Sequence, residues 1–224
     1  MSQPAPKGRR VVISAGPTHE HLDPVRYLGN ESSGKMGFEL AAAAQRRGDR
    51  VLLIAGPVSL PTPKGVERVD VVSAKELMAA CKLHFAGADV LIMAAAVADW
   101  RPKRRLSGKW KLKEGDAQST SLELVRNPDI LASLGRSKGS RLLIGFALET
   151  SQGLRRAEEK LRRKNADYIV LNDASALGAE RNSVTILGRH GSRLDLSDRS
   201  KREIAEYLVQ LGPPERPRPR ARKA

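Results

Sequence analysis

The chain has 224 residues, of which 40% are hydrophobic and 4% aromatic, with a formal net charge of +15 and one cysteine. This length suffices for one substantial core, and a single cysteine excludes a disulfide framework and a thiolate metal site. Neither a membrane-spanning apolar run nor a signal-peptide core within residues 1–10 is found, so we expect a cytoplasmic protein.

Much of the positive charge lies at the two ends of the sequence. Residues 213–224 contain five basic residues and one glutamate, and residues 1–10 add three more basic residues, which leaves +8 for residues 11–212. We predict a disordered N-terminus at 1–9, one domain at 10–212, and a basic, Pro- and Arg-rich disordered tail at 213–224. We expect no specific nucleic-acid partner and no membrane partner.

From residue 10 onward, short β-branched runs alternate with helical periodicity, which is typical of an α/β, Rossmann-like, doubly wound and mostly parallel sheet. The predicted strands are 11–14, 51–55, 66–71, 90–94, 142–146, 168–171, 183–187 and 193–196. The last two flank a turn at 189–192 and predict a C-terminal β-hairpin. The predicted helices are 34–47, 74–85, 128–134, 153–164 and 201–211, with Ser73 and Asn127 as expected N-caps.

Residues 29–37, Gly-Asn-Glu-Ser-Ser-Gly-Lys-Met-Gly, form what we call the anion loop. The segment is similar to a Walker A loop, but Met36 replaces the hydroxyl residue that would bind Mg²⁺, which argues against a P-loop NTPase. Glycines turn backbone N–H groups toward an anion, Ser32 and Ser33 add donors, and the following helix presents its N-terminus. The loop therefore predicts a binding site for an anionic small molecule.

Residues 99–124 are too long and too charged for an ordinary connection, and we call them the flap. Lys109, Lys111 and Lys113 alternate with Trp110 and Leu112, which predicts a strand or flap that presents several ammonium groups on one side. The alternative is a solvated lysine edge that only prevents aggregation.

The stretch 94–99, Ala-Ala-Ala-Val-Ala-Asp, follows a predicted strand at the sheet edge where α/β proteins bind ligands. Its small residues allow close approach of a base or ribose, and Asp99 suits a ribose hydroxyl or a metal; close packing is the alternative. The histidines are scattered, so we expect no zinc site. A Gly-x-Ser-x-Gly elbow and a Gly-x-Gly-x-x-Gly after the first strand are missing, which argues against a hydrolase and a nicotinamide-dependent reductase.

Seven motifs in order resemble bacterial phosphopantothenoylcysteine synthetase, the ligase module of coenzyme A biosynthesis, over residues 10–212. They are Gly-Pro-Thr at 16–18 with Asp-Pro-Val-Arg at 23–26, Asn-Glu-Ser-Ser-Gly-Lys-Met-Gly at 30–37, the stretch 94–99, Lys-Leu-Lys at 111–113, Asn-Pro-Asp-Ile at 127–130, Gly-Phe-Ala at 145–147 with Glu-Thr at 149–150, and Asn-Asp at 172–173.

The resemblance implies a two-step ligation. The carboxylate of 4′-phosphopantothenate attacks the α-phosphate of CTP to give an acyl-cytidylate and pyrophosphate, and the amine of cysteine then displaces CMP. Mg²⁺ and CTP are the implied cofactor and co-substrate, without flavin. The family forms dimers, and we expect a homodimer. Because ten mostly polar residues precede the first predicted strand, we expect a free-standing synthetase that supplies a separate phosphopantothenoylcysteine decarboxylase.

The resemblance also assigns residues. Lys111 and Asn30 are the implied catalytic residues; Glu114 departs from the family's usual lysine, and a shift in the register of this motif would assign the role of Lys111 to Lys109. The implied nucleotide-binding residues are Ala96, Asp99, Lys111, Lys113, Phe146, Gly16 and Ser33, and the implied substrate-binding residues are Asn30, Ser32, Gly34 and Lys35. Mg²⁺ would be held mainly by the triphosphate, with Asp99 as the candidate protein ligand.

The principal alternative keeps the fold without the ligase chemistry: a nucleotide- or nucleic-acid-binding protein that uses the positive charge. Deleting residues 213–224 would abolish its main activity but would leave ligase turnover near normal.

Overall fold

The computed structural model describes residues 8–111, 119–149, 153–173 and 181–214, which form one eight-stranded sheet, two short ribbons and five helices. The strands of the sheet are β1 (Arg10–Ala15), β4 (Arg50–Ala55), β5 (Glu67–Asp70), β6 (Val90–Met93), β9 (Leu142–Glu149), β10 (Tyr168–Asp173), β11 (Arg181–Gly188) and β12 (Arg193–Ser200). The ribbons pair β2 (Glu20–His21) with β3 (Tyr27–Leu28), and β7 (Trp100–Pro102) with β8 (Leu124–Arg126).

The strand order is β12-β11-β10-β9-β6-β1-β4-β5. All pairs from β10 to β5 are parallel, and only β11 and β12 run antiparallel to their neighbours. The chain proceeds outward from β1 through β4 and β5, and then returns to β6 on the other side of β1. The switch point of this α/β sheet, where ligands usually bind, therefore lies between β1 and β6.

Helices cover both faces of the sheet. They are α1 (Lys35–Arg46), α2 (Ala74–Phe85), α3 (Ile130–Ser137), α4 (Gly153–Arg163) and α5 (Lys201–Leu208). One core cluster joins α1 and α5 to alternate sheet residues such as Ile13, and the other joins α2, α3 and α4 to residues such as Val12. This is the doubly wound arrangement that the sequence pattern predicts, and the prediction is confirmed.

Every predicted strand and helix is present, with small shifts at the ends. The expected cap at Ser73 is confirmed, because its hydroxyl accepts from the N–H of Glu76 in a capping box. The prediction of Asn127 as the cap of α3 was wrong. Asp129 caps this helix by accepting from the N–H of Ala132, whereas the Asn127 amide donates to the carbonyl of Ala98.

The ends of the described chain are joined to each other. Arg9 is buried, and its guanidinium donates to the carbonyls of Leu211 and Val209. The hydroxyl of Tyr168 donates to the carbonyl of Gly212. The folded body thus includes Arg9, which the sequence pattern assigns to the N-terminal extension.

Three residues of the predicted motifs, Lys113, Glu114 and Thr150, lie outside the described residues.

Candidate active site

The anion loop is tied to the segment that follows β6. The side-chain amide of Asn30 donates to the carbonyl of Ala96 at 2.8 Å, and its oxygen accepts from the N–H of Ser32 at 3.1 Å. The hydroxyl of Ser32 in turn accepts from the N–H of Gly34 at 3.4 Å. Both ends of the Asn30 amide are therefore used, one to close the loop and one to attach it to the sheet edge.

The N-terminus of α1 lies at this loop. Gly34 is the N-cap with φ of 77°, and no side chain of the described residues caps the helix there, in contrast to the capping boxes of α2 and α5. A Cβ at Gly34 would lie 3.4 Å from the Cα of Gly16, which also has a positive φ. The two glycines let two backbones meet at an uncapped helix N-terminus, where N–H groups favour an anion.

The segment 94–99 extends the pairing of β1 and β6 past the sheet. Ala96 donates to the carbonyl of Gly16 at 2.9 Å and accepts from the N–H of Thr18 at 3.1 Å. The hydroxyl of Thr18, which is fully buried, accepts from the N–H of Ala98 at 3.0 Å. These bonds fix the segment so that Ala96 faces the anion loop, while its neighbours border a large cleft.

The cleft has a volume of about 1260 Å³ and is lined on one side by Ala95, Ala98 and Asp99, and on another by Phe146. Its charged lining comprises six basic and three acidic residues: Arg126, Arg156, Lys160, Arg162, Arg163 and Lys164, against Asp99, Asp129 and Glu159. An excess of cations in a concave site attracts anionic ligands. The cleft therefore has the electrostatics required by a polyphosphate.

Two lysines of the cleft are held in place. Lys164, whose side chain is 11% exposed, forms an ion pair with Asp129, the cap of α3. Burial lowers the pKa of the Lys164 ammonium, and the nearby charge of Asp99 opposes this shift. Lys160 donates to the carbonyl of Phe146 at 2.8 Å. Anchored cations need little rearrangement when an anion binds.

The flap begins with β7 and returns through β8. Between them, the N–H of Trp110 donates to the buried carboxylate of Asp23 at 3.0 Å, and Lys111 follows as an exposed residue outside both strands. Burial alone would raise the pKa of the Asp23 carboxyl. Hydrogen bonds from the Arg26 side chain and from the N–H groups of Trp110, Val25 and Arg26 outweigh it and lower the pKa well below its usual range.

The structure brings the predicted site residues together in two groups. Asn30, Ser32, Gly34 and Gly16 meet at Ala96, and Ser33 and Lys35 lie in the same loop, whereas Asp99 and Phe146 line the cleft. Within the described chain, the anion loop does not line that cleft. Both groups contact the segment 94–99, the first through Ala96 and the second through Ala95 and residues 97–99.

Sequence reasoning missed the cations of α4. Arg156 and Lys160 are four residues apart on α4, and Lys164 directly follows the helix at the same spacing, so that the three side chains lie on one side. This spacing was the available signal, but basic residues on a polar helix face are also typical of ordinary solvated surfaces. Only the packing of α4 beside β9 and β10 makes this face part of a site.

The described residues give no support for a metal site, a reactive thiol or a membrane-spanning helix. Among them, no group of three or more His, Cys, Asp or Glu side chains is arranged to hold a metal ion. Burial raises the pKa of the Cys81 thiol to about 12. Within the same part of the chain, no helix is long and apolar enough to cross a lipid bilayer.

Known proteins with this sequence pattern act in coenzyme A biosynthesis. The coenzyme A biosynthesis bifunctional protein CoaBC of Bacillus subtilis (strain 168) is 44% identical over 209 residues, which cover 91% of this chain and 51% of that protein. The chain thus spans about half the length of the curated relatives it matches.

Solved structures show the same fold. A crystal structure of the C-terminal domain of CoaBC is 40% identical, with a TM-score of 0.78 and coverage of 91% of this chain and 93% of that chain. The DNA/pantothenate metabolism flavoprotein from Streptococcus pneumoniae is 22% identical, with a TM-score of 0.79, and covers 90% of this chain and 97% of its own. A model of the DNA/pantothenate metabolism flavoprotein C-terminal domain matches residues 6–211, and the chain belongs to this family.

Proposed function

We propose that the protein joins 4′-phosphopantothenate to L-cysteine, using CTP through an acyl-cytidylate and releasing pyrophosphate and CMP. The observation that carries the proposal is the arrangement around the segment 94–99: an anion loop with an uncapped helix is bonded to Ala96, and the neighbours of Ala96 line a basic cleft. Such a pair of sites suits two anionic substrates that must react with each other. Membership of a coenzyme A biosynthesis family supports the choice of substrates.

In this mechanism the nucleotide occupies the cleft. The cations of α4 and Arg126 neutralise the triphosphate, so that a carboxylate can approach the α-phosphate. Asp99 and Phe146 border the cytidine, and the small side chains of 94–98 allow close contact with it. The exposed carboxylate of Asp99 is a hard oxygen ligand that fits a nucleotide-bound Mg²⁺. The ion would neutralise phosphate charge.

4′-Phosphopantothenate would bind at the anion loop. Backbone N–H groups at the start of α1 and Ser32 would hold its anionic groups, with Lys35 as an exposed cation beside them. Ser33, which the resemblance assigns to the nucleotide, lies in the same loop and would add a further donor. Asn30 borders the reacting acyl group, because its amide attaches the loop to Ala96 and thus to the segment that also lines the cleft. The substrate carboxylate would reach the α-phosphate across this segment.

Lys111 and Lys113 complete the site in the proposal. Attack of one anion on another accumulates negative charge at the α-phosphate, and an ammonium group brought to it by the flap stabilises that charge. After activation, the amine of cysteine attacks the acyl carbon, and CMP leaves with the electron pair of the broken acyl–oxygen bond.

We also propose that the protein is a homodimer. Several apolar side chains in the flap, and Val25 beside it, are exposed to solvent; those in the flap are Trp100, Leu106, Leu122 and Leu124. Contact with a second copy would remove this apolar surface from water. A phosphopantothenoylcysteine decarboxylase, acting separately, would then take the product.

The decisive experiment is pyrophosphate release with Mg²⁺ and 4′-phosphopantothenate, comparing CTP with ATP, with and without cysteine. We expect release with CTP, and phosphopantothenoylcysteine only when cysteine is added. Absence of release with either nucleotide would refute the proposal. Lys111→Gln should abolish release while the protein stays folded, and Lys109→Gln is the matched control with the same charge change two residues away. Equal activity of both variants would remove Lys111 from the mechanism.

A further inference from the structure

We propose that Asp23 is a positioning residue whose carboxylate holds Trp110 of the flap, and with it the neighbouring Lys111, relative to the anion loop. Asp23 is fully buried and lies in the turn between β2 and β3. The inference rests on the proposed function, because it concerns the lysine that we assign to activation. Asp23 itself contacts no substrate in this proposal and acts through the backbone of Trp110.

The two oxygens of Asp23 have separate tasks. Oδ1 accepts from the N–H groups of Val25 and Arg26, both at 2.8 Å, and so closes the turn of the hairpin. Oδ2 accepts from the N–H of Trp110 at 3.0 Å and from Nε of Arg26 at 2.7 Å. One oxygen thus shapes the turn, while the other holds the flap.

Arg26 adds a second connection between the same elements. Its Nη2 donates to the carbonyl of Trp110, and its guanidinium lies 5.9 Å from the centre of the Trp110 ring. The N–H of Leu106 also donates to the carbonyl of Leu22 at 2.8 Å. The flap is therefore attached to the β2–β3 hairpin at both the N–H and the carbonyl of the residue that immediately precedes Lys111.

The hairpin also leads directly into the anion loop. Leu28 is the last residue of β3, and Asn30 follows two positions later. The hairpin's other strand is anchored, since the buried carboxylate of Glu20 accepts from the N–H of Ala74 at the start of α2. Asn30 thus follows this anchored hairpin along the chain, and Lys111 is attached to it through Trp110, so that the hairpin sets the positions of both residues relative to each other.

Holding Lys111 in place should affect the rate of the activation step. A catalytic group that is displaced by about 1 Å loses about 100-fold in rate, because transition-state contacts depend steeply on distance. A buried carboxylate with several donors is a strong anchor, because charge-assisted hydrogen bonds are shorter and stronger than neutral ones. Loosening this anchor should lower the rate of activation without weakening binding at the anion loop.

The test uses Asp23→Asn, which keeps the shape of the side chain. The amide oxygen can still accept the two turn N–H groups, but its NH₂ then faces the N–H of Trp110 and the donors of Arg26. Arg26→Lys is the second variant, and it is safe for folding because the Arg26 side chain is 45% exposed. Asp167→Asn is the matched control. This substitution replaces a similarly buried carboxylate, which forms an ion pair with Lys138 and accepts from the N–H of Leu143 on β9.

Two readouts are needed. The first is acrylamide quenching of Trp110 fluorescence in a Trp100→Phe background, which reports the flap without any substrate. The second is steady-state pyrophosphate release in the native background. For Asp23→Asn we expect stronger quenching and a kcat about 100-fold lower, with an unchanged KM for 4′-phosphopantothenate. Arg26→Lys should change both in the same direction, and Asp167→Asn should change neither.

Each other outcome contradicts the proposal in a defined way. Unchanged quenching in Asp23→Asn and Arg26→Lys would show that the flap is held by other contacts. Stronger quenching with normal kcat would separate the anchor from the reaction, and equal quenching in Asp167→Asn would indicate general loosening. If the native protein releases no pyrophosphate, the proposed function fails, while quenching still decides whether Asp23 holds the flap.

Discussion

Asn30 shows how much a single amide does in this site. Its NH₂ group donates to Ala96 and its oxygen accepts from Ser32, so the side chain needs both a donor and an acceptor. In Asn30→Asp the donor is lost, and a carboxylate faces the carbonyl of Ala96. We expect the cysteine step to slow roughly 100-fold, the size of effect seen when one oriented donor is removed. Activation should slow less, so acyl-cytidylate accumulates.

The measurement for Asn30→Asp is a rapid-quench comparison of acyl-cytidylate and product. Asn165→Asp is the matched control, because the amide of Asn165, which lies just after α4, donates to the carbonyl of Gly135 in α3, outside the anion loop. It should leave both steps unchanged. Equal slowing of both steps in Asn30→Asp would count against the assigned role.

Single residues differ in how far the sequence predicts them. Gly34 was predicted because it lies in a Walker A-like loop before a helix, and Asp99 because it follows a predicted strand at the sheet edge where ligands bind. Lys160 and Lys164 were missed, since α4, which contains Lys160 and ends just before Lys164, is polar on most of its surface. Asp23 was quoted only within a family motif, because its role depends on Trp110, which is far away in the chain.

At the scale of elements, α1 approaches β1 more closely than an alanine would allow. A Cβ at Gly37 would lie 2.4 Å from the Cβ of Ala15, so Gly37→Ala must push the first turn of the helix away from the sheet. We expect a loss of about 1–3 kcal/mol in the free energy of unfolding, the usual range for overpacking. We also expect weaker binding of 4′-phosphopantothenate, because the anion loop leads into this turn.

Urea unfolding and the KM for 4′-phosphopantothenate measure these two effects. Gly108→Ala is the control, since a Cβ there has no heavy atom within 4 Å. If Gly37→Ala kept both native stability and native KM, the close contact of α1 with β1 would matter neither for folding nor for binding of 4′-phosphopantothenate.

The capping box of α5 gives a pH-dependent contribution to stability. Hydrogen bonds from the backbone and then the side chain of Ser200, with a further contribution from Arg199, lower the pKa of Glu203 from 4.5 to about 2. A carboxyl with a lowered folded-state pKa stabilises the protein above its unfolded pKa and loses this contribution as the pH falls toward the folded value. The contribution is therefore present above about pH 4.5 and disappears toward pH 2.

Thermal unfolding of the native protein and of Glu203→Gln across this range tests the cap. We expect the variant to melt at a lower temperature at pH 7, and the difference in Tm to shrink steadily as the pH falls from 4.5. The α5 side chains Ile204 and Leu208 are fully buried, so fraying of this helix exposes the core and affects Tm. A difference in Tm that does not change with pH would contradict the role of the charge.

The long, periodic elements were predicted correctly, and the short ribbons were not. A short apolar run that contains β-branched residues gives a clear strand signal, as for Val-Val-Ile in β1 and Val-Leu-Leu-Ile in β4. The strands β2 and β3 have two residues each and β7 and β8 three, too few for any period. Their pairing comes from tertiary contacts, yet these ribbons carry both Asp23 and the flap.

At the scale of the whole molecule, Leu211 and Gly212 lie at the sheet edge opposite the site, beside the starts of β1 and β10. The last described residues anchor the C-terminal end, because Leu211 accepts from Arg9 and Gly212 from Tyr168. The site lies instead at the carboxyl edge of the sheet, around the segment 94–99. A protein truncated after Gly212 keeps both of these hydrogen bonds. Its formal charge falls by four, from +15 to +11.

Truncation after Gly212 therefore distinguishes the ligase from the alternative of a nucleotide- or nucleic-acid-binding protein. Ligase turnover should stay near normal, because the charges that act on the substrates belong to the cleft and the flap. Salt-dependent retention on nonspecific DNA should weaken, since each phosphate contact that is lost reduces counterion release. Turnover and the slope of binding against salt concentration are measured on the same preparation. If truncation abolished turnover while the fold and its Tm were unchanged, residues 213–224 would be required by the active site, and the ligase would not work independently of the tail.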